Sequence, residues 1–277
     1  MRALFLIPGD SSTQIQAFAA VAAVIKHLQA EVHVVCPPKE QALWGIHPGA
    51  IRTVPFNFEA ASLADWTNLL GAVREPDFQL CFNRAGGRQV NLMLSMSHIP
   101  TRIATSGFSA TETVQGPETG WGSLSWQAML RPVGVPLEAE TYTLKLPQPD
   151  LEAVAASLPT GDGPLLLLAP SGDSADWPTQ CWQELPEVIR QRLAGLRTLD
   201  AGTGSVKGKA ARIAVADVVL ASDPLSIELA LLLGIPLVAL GRPPESLPDR
   251  DGVRGVEGPG LLANLPIEDV LTALGFS

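Results

Sequence analysis

Short apolar runs alternate with helix-length amphipathic stretches along this 277-residue chain, and the alternation starts twice. The first series of runs falls at residues 3–7, 32–36, 53–56, 78–82 and 102–104, with helical patterns at 14–28, 40–44, 63–73 and 88–96. The second has runs at 165–169, 196–199, 218–221 and 237–240, with helical patterns at 179–193, 225–233 and 267–274. Runs this short and this apolar read as strands covered on both faces. Strands separated by helices form parallel sheets, because each return to the same edge needs a crossover. Between the two series lies Leu146-Pro147-Gln148-Pro149-Asp150, with Asp150 placed to cap a helix over 151–158, and then a second break at Pro159-Thr160-Gly161-Asp162-Gly163-Pro164. The pattern predicts an α/β protein of two domains, residues 1–158 and 159–277, facing each other across a cleft.

Composition narrows the function classes. With 46% hydrophobic and 17% charged residues the chain has enough apolar surface for two cores. Its net charge of −9 argues against a nucleic-acid partner and means that any anionic ligand must be held by local donors against the overall field. Cys36, Cys81 and Cys181 have no paired spacing, and His27, His33, His47 and His98 form no ligand pattern, so neither a disulfide framework nor a metal site is expected. No apolar run approaches the length of a membrane span, and the opening run breaks at Pro8-Gly9, too early for a secretory signal. A cytoplasmic protein whose membrane contact is at most peripheral is the expectation.

The first strand ends in Pro8-Gly9-Asp10-Ser11-Ser12-Thr13, just before a helical pattern carried by Ile15, Phe18, Ala22, Ile25 and Leu28. Open α/β sheets bind ligands at the carboxyl ends of their strands. A carboxylate there repels a phosphate but suits removal of a proton from a substrate hydroxyl. The other reading is that Asp10 or Ser12 only caps the helix. Asn83 and Arg84, followed by Gly86 and Gly87, leave another strand at the same end; they either meet substrate hydroxyls, with Ser11, or form a turn. The polar stretch 106–122 reads as a surface loop or a substrate-facing flap, with Trp121 and Trp126 as ligand-stacking rings or buried anchors. Gly202, Gly204 and Gly208 with Lys207 and Lys209 do not make a P-loop, because Ala210 stands where Ser or Thr belongs; a polar surface loop is expected. Arg242 follows the strand at 237–240, placed for a phosphate or for the surface.

Several segments in order resemble the heptosyltransferases, glycosyltransferase family 9. These are the strand-Gly9-Asp10-helix opening, His47-Pro48-Gly49 through Val54-Pro55-Phe56, Asp77-Phe78-Gln79-Leu80-Cys81-Phe82-Asn83 with Ile99-Pro100-Thr101-Arg102-Ile103, Ala169-Pro170-Ser171-Gly172 through Trp177-Pro178 and Trp182, and Ala216-Asp217-Val218-Val219 through Ser222-Asp223 with Leu233-Gly234-Ile235-Pro236. The resemblance covers most of the chain. It implies the GT-B fold of two Rossmann-like domains, the second one shortened here.

The resemblance also implies transfer of a sugar from a nucleotide sugar to an acceptor hydroxyl of a cell-surface glycan or lipopolysaccharide, with inversion and without a metal or a bound cofactor. ADP-heptose is the donor that the family name suggests. Asp10 matches the family's catalytic aspartate, while Ser171, Ser174, Lys207, Lys209, Asp223 and Glu228 are the candidates for holding the donor. Three departures stand out. Ala175 occupies the place of a phosphate-binding lysine. Pro224, Leu225 and Glu228 replace the small pair and the histidine of an Asp-Ser/Thr-Gly-x-x-His motif. The span 200–216 is short by about one helix–strand unit. Lys207, Lys209 and Arg212 are then expected to supply the missing cation. Glu228 is expected either to bond a ribose or to sit exposed in a first helical turn. The alternative function is a GT-B-type binding or regulatory module that no longer transfers.

Overall fold

The computed structural model describes residues 1–116, 120–258 and 260–276, in two compact units, Met1–Tyr142 and Thr143–Ser277. Residues 117–119 of the expected flap lie outside the described residues. In the first unit, β1 (Arg2–Leu6), β2 (Glu31–Cys36), β3 (Ile51–Pro55), β4 (Leu80–Asn83), β5 (Thr101–Ala104) and β6 (Glu112–Thr113) form one parallel sheet in the order β3-β2-β1-β4-β5-β6. Leu4 faces His33 on one side and Cys81 on the other. The helices α1 (Ser11–Gln16), α2 (Phe18–Leu28), α3 (Gln41–Trp44), α4 (Leu63–Arg74), α5 (Arg88–Met96) and α6 (Trp126–Leu130) complete the unit. From Ala3 to Ile7 nothing is exposed, which explains the unbroken apolar run: a central parallel strand meets core on both faces. Leu4, Phe5, Leu6 and Ile7 each contribute about 1.5–3 kcal/mol on burial.

The helix expected over 14–28 begins earlier and divides at Ala17, whose N–H returns to Gln14 O at 3.1 Å. Gln14 is fully buried because its side chain ties three pieces together. Its Nε2 donates to Ile7 O at 2.9 Å, and its Oε1 accepts from Trp44 Nε1 at 3.1 Å. Trp121 and Trp126 are 1% and 2% exposed, buried anchors and not open stacking faces. Cys36 and Cys81 are buried free thiols, with burial pushing Cys36 up to about 12.

In the second unit, β7 (Leu165–Ala169), β8 (Arg197–Asp200), β9 (Val218–Ala221), β10 (Leu237–Leu240) and β11 (Val253–Val256) form a parallel sheet in the order β11-β10-β9-β7-β8. Helices α7 (Gln148–Ala155), α8 (Thr179–Arg192), α9 (Val206–Ala214), α10 (Pro224–Leu233) and α11 (Ile267–Ala273) surround it. Leu166, Leu168, Trp177, Trp182, Leu185 and Leu220 belong to one apolar cluster, and Trp177 Nε1 donates to Leu265 O at 2.8 Å.

Three expectations change here. The boundary between units falls at 142/143, because α7 packs along α9, and Leu144 N donates to Leu232 O at 2.7 Å. Asp150 is not the cap of α7 but lies in its first turn, after Pro147. The span 200–216 is no surface loop: Ser205 accepts from Gly208 N at 3.2 Å and starts α9, which buries Ala210, Ala211 and Ile213. Among the described residues no helix is long and apolar enough to cross a membrane.

Candidate functional site

The turn after β1 is built around one glycine and one carboxylate. Gly9 has φ +102°, and a Cβ there would lie 2.9 Å from Thr13 Oγ1. That space is taken because Asp10 is the N-cap of α1: its Oδ1 accepts from Thr13 N at 3.0 Å and from Thr13 Oγ1 at 2.9 Å. Among the described residues no donor meets Oδ2. Capping therefore occupies one carboxylate oxygen and fixes the other in place. Asp10 lines a cavity of about 460 Å³ at the carboxyl ends of β1, β2 and β3, together with Lys39, Asn57, Phe58 and Glu59. Beside it lies Glu40, 4% exposed, which accepts from Ser11 Oγ at 2.5 Å and stands 3.7 Å from Lys39 Nζ. The Ser11 hydroxyl is thus committed to Glu40.

Asn83 is 2% exposed and accepts from Ala85 N at 3.0 Å through Oδ1, so its visible work is to shape the turn after β4. Arg84 faces a second cavity of the same unit, lined also by Thr105, Gln115 and Ser125. Sequence reasoning misses Lys39, Asn57, Phe58, Glu59 and Glu40. A signal for them exists, since each follows a strand at its carboxyl end, as Asp10 does.

The corresponding turns of the second unit use their own donors and charges. Strands β7 and β9 are neighbours joined by a crossover on either side, the place where such sheets open to ligands. Here Ser171 N donates across it to Ser222 Oγ at 2.9 Å. Gly172 N and Trp177 N are taken by the Asp176 carboxylate, at 2.9 and 2.7 Å, and Ala175 N by Asp173 Oδ1 at 2.9 Å. Asp173 N reaches Ser171 Oγ at 3.4 Å, and Ser174 is exposed. Asp223 caps α10, and its Oδ2 accepts from Ser226 N at 3.1 Å and from Lys209 Nζ at 2.8 Å. Pro224 at the first helical position removes one N–H from that helix end.

The structure separates the expected basic cluster. Lys207 pairs with Asp150 at 2.9 Å, Lys209 with Asp223, and Arg212 donates to Asp200 O at 3.0 Å. Glu228 is 0% exposed, which corrects the reading of an exposed first-turn carboxylate. Arg242 Nη2 stands 3.5 Å from its Oε1, so this arginine faces a glutamate in the protein. Among the described residues no group of three or more His, Cys, Asp or Glu side chains is arranged to hold a metal ion.

No family model and no curated protein matches the chain. Solved structures do. A glycosyl transferase family 9 protein from Veillonella parvula superposes with a TM-score of 0.79 at 14% identity, over 99% of this chain and 96% of that one. ADP-heptose lps heptosyltransferase II from E. coli gives 0.75 at 15% identity, over 99% and 98%. E. coli heptosyltransferase WaaC with ADP-2-deoxy-2-fluoro heptose gives 0.71 at 14% identity, over 99% of each chain. At these identities the likeness is one of architecture, and the chain has the GT-B fold, with two all-parallel sheets, that these glycosyltransferases share.

Proposed function

We propose that the chain is a glycosyltransferase that moves a sugar from a nucleotide sugar to an acceptor hydroxyl, with Asp10 as the general base. The observation that carries this reading is the Asp10 carboxylate, held through Oδ1 by Thr13 and lining a cavity with Oδ2 unbonded by the described residues. In the proposed step Oδ2 takes the hydroxyl proton as the acceptor oxygen bonds to the anomeric carbon. The bond from that carbon to the nucleoside diphosphate breaks on the opposite face, so configuration inverts and the diphosphate leaves with the electron pair. A base positioned in this way contributes about 10²–10⁴-fold to rate. The first unit takes the acceptor and the second the donor, through protein donors and without a metal. The E. coli neighbour with an ADP-heptose analogue makes ADP-heptose the first donor to try. A glycan or lipopolysaccharide acceptor and a cytoplasmic setting belong to the same proposal.

A second reading rests on a specific observation. The N–H groups after β7 and the ammonium of Lys209 already have protein partners, which favours a binding module that holds a nucleotide weakly and transfers nothing. A panel of nucleotide sugars separates the two. The transferase raises the unfolding temperature with its donor and also turns the donor over when an acceptor is supplied. Stabilisation without turnover across the panel supports the module and sinks the transferase.

A further inference from the structure

The loop that follows β3 carries an aromatic ring whose position is set by packing. Phe58 is half-buried and meets Phe56 edge to face, with centroids 5.1 Å apart and planes at 78°. Phe56 is buried and is held in turn by Trp66, at 4.6 Å and 63°. Phe58 and Trp66 both pack against the apolar cluster that contains Leu4, Leu6 and Phe56. Phe58 is therefore fixed from behind, while it also lines the Asp10 cavity. The polar groups beside it are unspent. Asn57 Oδ1 accepts from Ala60 N at 3.4 Å, and among the described residues nothing accepts from its Nδ2. Glu59 is exposed, and among the same residues no donor meets its carboxylate.

Charge narrows what this wall can hold. Asp10 and Glu59 both line the cavity, and its lysine, Lys39, stands 3.7 Å from the buried carboxylate of Glu40. Three carboxylates around one ammonium disfavour an anionic guest. They suit a neutral one that is rich in hydroxyls, because an ionised carboxylate accepts from a hydroxyl more strongly than a neutral group does. The ring adds a flat apolar platform, whose negative face attracts the C–H groups on one side of a pyranose. We propose that the Asp10 cavity takes an uncharged sugar ring, stacked on Phe58, with hydroxyls bonded by Glu59 and Asn57. Its identity as the acceptor rests on the transferase reading: the acceptor is then a neutral sugar that presents one hydroxyl to Asp10 Oδ2. Phe58 and Glu59 select that ring, the first by its face and the second by its charge. The sugar site itself does not depend on transfer.

The test is ligand-observed NMR titration of the full chain, at fixed ionic strength, with the methyl glycosides of glucose, galactose and mannose and with that of glucuronate. Saturable binding of at least one neutral glycoside is expected, with the glucuronate weaker by about tenfold or more. Phe58→Leu keeps an apolar side chain against Phe56 but has no ring face, and is expected to weaken neutral binding about tenfold; Phe58→Tyr is expected to restore it to within a few-fold. Glu59→Gln removes one charge from an exposed position, so neutral affinity falls a few-fold, glucuronate affinity does not, and the gap between them narrows. That variant serves if F58L does not fold. Equal neutral affinity in wild type and F58L, an unchanged gap in E59Q, tighter binding of glucuronate than of every neutral glycoside, or no saturable binding overturns the site. Neutral binding with no transfer from any nucleotide sugar overturns the transferase reading and leaves the site standing. Transfer to the glucuronate in preference to the neutral glycosides upholds the transferase and overturns the neutral acceptor.

Discussion

The turns after β1 and after β9 have the same parts and arrange them differently. Each follows a buried parallel strand, and each ends in an aspartate that caps the next helix, Asp10 for α1 and Asp223 for α10. Asp10 gives one oxygen to Thr13 and keeps the other clear of the described residues beside a cavity. Asp223 gathers the Ser226 N–H and the Lys209 ammonium on one oxygen, and Pro224 has already removed a helix N–H. A helix start therefore does not by itself make a ligand site. Both carboxylates leave one oxygen unbonded by the described residues, so what counts is whether the cap lines a cavity and whether a local cation is already paired with it.

The strongest way to break this comparison is through the glycines of the strand-end turns. Gly9→Ala puts a Cβ against Thr13 Oγ1 at φ +102°, and is expected to lower stability by about 2 kcal/mol. Gly172, after β7, has φ +73° and open space where an alanine Cβ would sit, so Gly172→Ala should cost about 1 kcal/mol. Urea unfolding midpoints of the two variants check the order, and a larger loss in G172A would show that the β1 turn is not the tighter one.

Asp223→Asn sharpens the contrast from the other side. Asparagine still caps α10, but the Lys209 ammonium loses its carboxylate. ADP affinity is expected to rise about tenfold, the effect of one charge-assisted hydrogen bond released to a diphosphate. Calorimetric titration of ADP reads it. Unchanged or weaker binding would mean that Asp223 itself holds the nucleotide.

The smallest effect distinguishes the first unit by pH. His47 is 6% exposed; its Nδ1 accepts from Gly49 N at 3.0 Å, so Nε2 carries the proton that points to Phe18 O at 3.3 Å. Burial lowers its pKa below the usual 6.5. The unfolded chain then binds the proton more readily than the folded one, so this stability is complete above pH 6.5 and is lost as pH falls below it. Between about pH 7.5 and about pH 5 the urea midpoint should decline in wild type and decline less in His47→Gln. Parallel profiles would remove His47 as the cause.

Much of this architecture was legible in the sequence, because parallel strands buried on both faces leave an unbroken apolar run. The strands Leu165–Ala169, Val218–Ala221 and Leu237–Leu240 and the helix Arg88–Met96 lie where the residues predict them. Asp223-Pro224 and Gly234 mark the two ends of α10 by their capping chemistry alone. Helix α9 was not legible, since Gly202, Gly204 and Gly208 suggest a loop while only Ala210, Ala211 and Ile213 mark a buried face. Strand β11 is equally hard to read, and Gly255 weakens its pattern for a packing reason: a Cβ there would lie 2.4 Å from Arg242 O. The placement of α7 with the second unit depends on contacts with α9, which no local pattern records.

The site was legible to a different depth in each unit. Asp10 follows from its place at a strand end, and its cavity partners follow from the same rule applied to β2 and β3. Lys207 and Lys209 look like a cluster only along the chain. Two residues apart on a helix they point to different sides, so one meets Asp150 and the other Asp223. Glu228 could not be placed without the fold, because burial beside Arg242 is a tertiary fact.

The central claim is that the free oxygen of Asp10 acts as a base, and Asp10→Asn tests it most directly, because asparagine keeps the cap on α1 while removing the proton acceptor. With the donor found by the nucleotide-sugar panel and its acceptor, the account predicts a fall in transfer rate of about 10²–10⁴-fold, with donor affinity and unfolding midpoint unchanged. Transfer by the variant at the wild-type rate would contradict it.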